Sequence, residues 1–94
     1  SFATSCRDFG FLHEPTKIRR LVSACVDISI GRNLGQSHWL RRGAGPTEEQ
    51  KTRGGGSFAW RHDIDNEFHL HYWKNGTSIE FANVVVHNDF SITE

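Results

Sequence analysis

Methionine is absent from this 94-residue chain, cysteine and proline occur twice each, and there is a single tyrosine. Two cysteines, Cys6 and Cys25, exclude a disulfide-dense miniature scaffold and allow at most one internal bridge. Excess charge of either sign is also missing, with 11 Lys and Arg balancing 11 Asp and Glu. Polyanion binders usually carry a clear positive excess, so this balance argues against nucleic acid as a partner. No apolar run approaches the roughly 20 residues needed to cross a bilayer, which argues against membrane insertion. Gly-x-Ser-x-Gly, P-loop and zinc-protease motifs are absent, so no hydrolase or nucleotide-binding class announces itself.

What is present is a strong hairpin signal. Phe68-His69-Leu70-His71-Tyr72 alternates apolar with polar residues and runs into Lys74-Asn75-Gly76-Thr77. Asn-Gly between alternating runs predicts a two-residue turn at Asn75-Gly76, setting Tyr72 opposite Ile79 and Leu70 opposite Phe81. Phe68, Leu70, Tyr72, Ile79 and Phe81 then share a buried face, with His69, His71, Trp73 and Glu80 on the other. Asn75-Gly76-Thr77 is also an N-glycosylation triplet at an accessible hairpin tip.

Upstream, Val22, Ala24, Val26, Ile28 and Ile30 fall at alternate positions and predict a strand. Ser1 to Cys6 reads as another, and a start directly inside a strand predicts a processed N-terminus and secretion. A domain this small buries only about 60–65 % of its unfolded surface, so a Cys6–Cys25 bridge would help it, by on the order of 3 kcal/mol; the alternative is two buried free thiols. Residues 43–56 form a Gly/Pro/charged connector, in which Thr47 and Gln50 have capping-box spacing and allow a short helix near 46–52. Across it the opening Ser1-Phe2-Ala3 returns as Ser57-Phe58-Ala59, which points to two repeat-like halves, 1–42 and 57–94, within one domain. The Gly54-Gly55-Gly56 run is a hinge suited to a domain-swapped homodimer.

These features resemble the cyanovirin-N homology family. Phe2 to Cys6 and Leu21-Val22-Ser23-Ala24-Cys25 match the opening strands of a family repeat, and Thr77-Ser78-Ile79-Glu80-Phe81 with Val85 and Asn88-Asp89 matches a repeat ending. The second repeat has no cysteine, with His62 where the first would fall. The resemblance implies an all-β, pseudo-symmetric two-repeat fold that binds an oligosaccharide or glycoprotein without cofactor, metal or catalysis. It places the ligand site at Thr4, Ser5, Asp27, His87, Asn88 and Asp89, and a degraded second site at Trp60, Arg61 and Asp63.

Two other readings follow from the residues alone. His69, His71 and Glu80 supply an acid/base set of the kind used by a small secreted ribonuclease or toxin, with Arg61 as the nearest cation for a phosphorane charge. His69 and His71, with Glu80 across from His71, also have the arrangement of a metal chelate, but no convincing fourth group accompanies them. The third reading is a secreted effector or defence protein that binds another protein.

Overall fold

The computed structural model describes residues 1–94. Its chain begins with a helix, not a strand. Ser1 is the N-cap of α1 (Phe2–Asp8), its hydroxyl accepting from the Thr4 N–H at 3.2 Å. Phe2, Ser5, Cys6 and Phe9 turn inward, the i, i+3, i+4, i+7 spacing of an amphipathic helix. The second expected strand is also a helix, α2 (Pro15–Ile30), with Pro15 in its first turn, where a missing N–H does no harm, and Gly31 ending it at φ +73°. Leu21, Ala24, Asp27 and Ile28 are the residues it buries. The alternate-position pattern had Val22, Val26 and Ile30 inside, yet they are 54 %, 42 % and 63 % exposed.

The remaining chain builds an antiparallel sheet. After a 3₁₀ turn at Leu34–Gln36 come β1 (Ser37–Trp39), β2 (Thr52–Arg53), β3 (Ser57–Asp63), β4 (Phe68–Asn75) and β5 (Ser78–Val86). The order is β1-β3-β4-β5, with β2 also pairing β3. The fold is therefore α+β, and the all-β, two-repeat expectation is overturned: residues before the connector are mostly helical, and those after it form the sheet. No helix forms at 46–52; Pro46 and Thr47 make a turn, and the Gly run is the three-residue loop joining β2 to β3.

One sheet face carries Phe68, Leu70, Tyr72 and Val84 into a core with Cys6, Phe11, Leu21, Ala24 and Ile28, with Ile79 and Phe81 packed against it. The predicted buried face of the hairpin is thus the observed one, although its turn is displaced. Asn75 pairs with Ser78, so Gly76 and Thr77 are the loop, and Gly76 has φ +60° at the first position, as a II′ turn requires. Moving the loop by one residue shifts each cross-strand partner by two, which preserves the face. The displaced turn sets Glu80 opposite Trp73, and a bulge beside His71 then sets Asn83 opposite His71. Helix α1 lies along β5, an edge strand, where the Ser5 hydroxyl accepts the Val84 N–H at 2.9 Å.

The other face is closed in part by the C-terminal segment. Phe90 and Ile92 pack on Leu40, Ala59, Trp73 and Ala82. Trp73 Nε1 donates to the Thr93 carbonyl at 2.9 Å, and Asn83 exchanges hydrogen bonds with Ser91 and Thr93.

The expected disulfide does not form. Cys6 is buried on α1, Cys25 is half-buried on α2, and both are free thiols. Burial raises both pKa values; that of Cys25, with Cys6 adding to the effect, reaches about 11. Apolar packing of the two helices on the sheet takes the place of the staple. Unfolded protein without reductant should therefore titrate two thiols, and native protein should react slowly, since thiolate is scarce and access poor. A mass lower than the reduced chain by two hydrogens would restore the bridge.

Candidate functional site

Six residues expected to share one ligand site lie in separate places. Thr4 and Ser5 are on α1, with the Thr4 hydroxyl on Ser1 and the Ser5 hydroxyl on the Phe2 carbonyl and the Val84 N–H. Asp27 is buried on α2, accepting from Asn33 at 2.9 Å and Arg32 at 2.7 Å, and these bonds hold its carboxyl below the usual range. His87, Asn88 and Asp89 follow β5. Asp89 accepts the Ser91 N–H at 2.8 Å, which lowers its pKa and commits it to the turn.

The acid/base trio is also divided. His71 is fully buried, its Nδ1–H donating to the Ser91 carbonyl at 2.7 Å, and Nε2 has no partner. Burial lowers its pKa to about 4. Glu80 lies opposite Trp73 and pairs with Arg53. Only His69 remains near a site. No three His, Cys, Asp or Glu side chains converge in a metal-binding group.

One hollow, about 600 Å³, lies between α2, the 3₁₀ turn and the end of β3. Its polar groups are largely engaged with one another or with neighbours. Arg20 pairs with Asp65, Asp27 with Arg32 and Asn33, and the His62 Nδ1 with the Ser37 hydroxyl at 2.7 Å, which in turn accepts from Tyr72.

A second hollow, about 570 Å³, has a different character. His38, Arg41, Arg61, His87, Asn88, Trp39 and Trp60 contribute to its walls, and no carboxylate does. Register brings the first members together: His38 on β1 pairs with Arg61 on β3, and Arg61 with His71 on β4, all projecting from the face opposite the helices. Arg41, held by the Glu48 carbonyl at 2.6 Å, lies over Trp39 with its guanidinium 5.2 Å from the ring centre.

Behind His87 stands a buried support. His69 Nε2 is 3.2 Å from Asp63 Oδ1 and 3.2 Å from His87 Nδ1. The Asp63 contact is close but off the line of a good hydrogen bond, since that oxygen has no aligned donor. A carboxylate oxygen so near disfavours a lone pair on His69 Nε2, so the proton rests there and His87 Nδ1 accepts it. His87 then carries its own proton on Nε2. Burial lowers the His69 pKa, Arg61, His87 and His38 reinforce that direction, and Asp63 opposes it. His69 is therefore neutral at pH 7.

The sequence reading reached Arg61, His69 and His87 but in three different roles, and it missed His38. Ser37-His38-Trp39-Leu40 sets two polar residues before two apolar ones, so no alternation marks the short strand that presents His38 on the face away from Trp39.

Fold and site together define a small α+β domain with helices on one sheet face and a His/Arg cleft on the other. No family model matches the chain, and neither the curated proteins nor the solved structures contain a match.

Proposed function

We propose that the cleft binds a phosphodiester of RNA and cleaves it by transfer to the neighbouring ribose hydroxyl. The observation that carries this reading is the lining itself: two arginines and two histidines with no carboxylate, so local charge favours an anion although the whole chain is neutral. His38 takes the proton of the 2′-hydroxyl as its oxygen attacks phosphorus. The His87 Nε2–H hydrogen-bonds the departing 5′-oxygen, supported from behind by His69 and Asp63; that oxygen takes its proton from water, and His38 releases to water the one it took. Arg61 stabilises the charge that builds on the phosphorane oxygens. The products are a 2′,3′-cyclic phosphate and a free 5′-hydroxyl, with every proton accounted for.

An oligosaccharide is served less well. Neutral hydroxyls need acceptors, and Asp27 and Asp89, the carboxylates expected to provide them, are occupied within the protein.

Incubation with RNA and with the matching DNA tests the reading. RNA should be cut to cyclic-phosphate ends and DNA left intact. Arg61→Gln should slow cleavage roughly 10²-fold, at the low end for loss of one charge-stabilising donor. Intact RNA, together with glycan binding that needs Arg61, would replace this reading with the lectin one.

A further inference from the structure

Where the helices stop, the core side of the sheet is left bare. Trp39 and Phe58 are 49 % and 48 % exposed there, and Trp60 is half-buried between them and Tyr72. Trp39 pairs with Trp60 across β1 and β3, and Phe58 with Lys74 across β3 and β4, so all four side chains share one face. The Trp60 and Tyr72 rings stack at 6.5 Å with 14° between their planes. The Lys74 ammonium lies 5.8 Å from the centre of the Trp60 ring. Trp39, Gln50, Phe58, Trp60, Lys74 and Gly76 enclose a groove of about 350 Å³, and its walls hold one cation and no carboxylate.

This groove is continuous with the cleft. Trp39 and Trp60 border both hollows, and β1 between them is only three residues long and lies at the sheet edge. A chain that leaves the cleft over β1 meets the aromatic faces next, with Arg41 on one side of Trp39 and Lys74 beyond it.

We infer that this groove is a stacking subsite for nucleobases of a single strand whose phosphate occupies the cleft. The inference rests on the RNA reading of the cleft and specifies its substrate as single-stranded. Three features select this occupant. Exposed aromatic faces bind bases irrespective of sequence. Lys74 and Arg41 stand where the phosphates between those bases would run. A neutral sugar would use the rings but leave both cations without a counterpart, and no carboxylate is present to accept its hydroxyls.

Uncleavable single-stranded DNA separates this inference from the cleavage reading. By fluorescence anisotropy, a deoxyoligonucleotide of about eight residues should bind wild-type protein more tightly than a dinucleotide, and more weakly as salt rises. Phe58→Ala should lower the affinity of the long oligonucleotide roughly tenfold, the size expected for one stacked base, and Lys74→Gln should flatten its salt dependence. Phe58 lies outside the cleft and is half-exposed, so Phe58→Ala should leave both the melting temperature and the turnover of a ribodinucleotide unchanged. Long-oligonucleotide binding indifferent to both substitutions would overturn the groove while leaving wild-type RNA cleavage standing. Phe58-dependent binding without any RNA cleavage would keep the groove and remove the catalytic reading. Duplex bound as tightly as single strand, or a Phe58-dependent affinity for a mannose-rich oligosaccharide in place of DNA, would also overturn it.

Discussion

Trp73→Ala should destabilise the protein by about 3–5 kcal/mol, the range for removing a large buried aromatic. Trp73 is 2 % exposed and is the largest member of the small core that holds Leu40, Ala59, Ala82, Phe90 and Ile92. Its loss opens a cavity, and the Thr93 carbonyl loses the indole donor at 2.9 Å. The Arg53 guanidinium, 4.6 Å from the ring centre, loses its cation–π partner. Domains of this size have only about 5–15 kcal/mol of total stability, so the melting temperature should fall by roughly 15–30 °C. Denaturant unfolding followed by circular dichroism measures the change. Trp73→Phe keeps most of the volume and loses the hydrogen bond, so its cost should be roughly 1–2 kcal/mol. An effect of Trp73→Ala below about 1 kcal/mol would mean that the C-terminal segment does not form a core on this sheet face.

Stability should also fall steeply in mild acid, by about 3 kcal/mol between pH 6.5 and pH 4, through His71 alone. The sign follows from its pKa, about 4 when folded against 6.5 for an ordinary histidine. Above pH 6.5 neither state holds the extra proton and the group has no effect. As pH falls through the window the unfolded chain binds the proton first, so unfolding becomes easier, and the loss is complete once the pH is below about 4. His62 and His69 are shifted in the same direction by burial and add to the slope. His71→Leu should remove the His71 share and keep stability near wild type at pH 7, because the Ser91 carbonyl still receives the Asn83 amide at 3.1 Å and the unpartnered Nε2 is gone. Urea titrations at several pH values give the two slopes. Equal slopes in wild type and His71→Leu would show that His71 is not the group responsible.

Parts of this structure were legible in the residues. Phe68-His69-Leu70-His71-Tyr72 defined a strand with one apolar and one histidine-bearing face, and Gly76 marked the turn. The N-terminal third was misread because short apolar segments satisfy two periods at once. Val22, Ala24, Val26, Ile28 and Ile30 fit a strand, while Leu21, Ala24 and Ile28 fit a helix stripe. Pro15 and Gly31, which bracket the helix, were the deciding signals. Ser1 ahead of Phe2, Ser5, Cys6 and Phe9 was the corresponding one for α1.

Which side chains face together along β4 is written in the residues, because alternation is a local property of an extended chain and survives a shifted turn. So is the electrical balance of the chain, and the fact that a bridge, if any, had to join Cys6 to Cys25. Packing in three dimensions leaves those thiols free, consumes Asp27 and Asp89 in internal hydrogen bonds, and seals His71 under Ser91 while His38, Arg61 and His87 line one open cleft. The physical reason is that charge and reactivity depend on distance and burial. Strand pairing and the path of the C-terminal segment bring residues 38, 61 and 87 together across long stretches of chain, and no count of local periods or net charge contains that information.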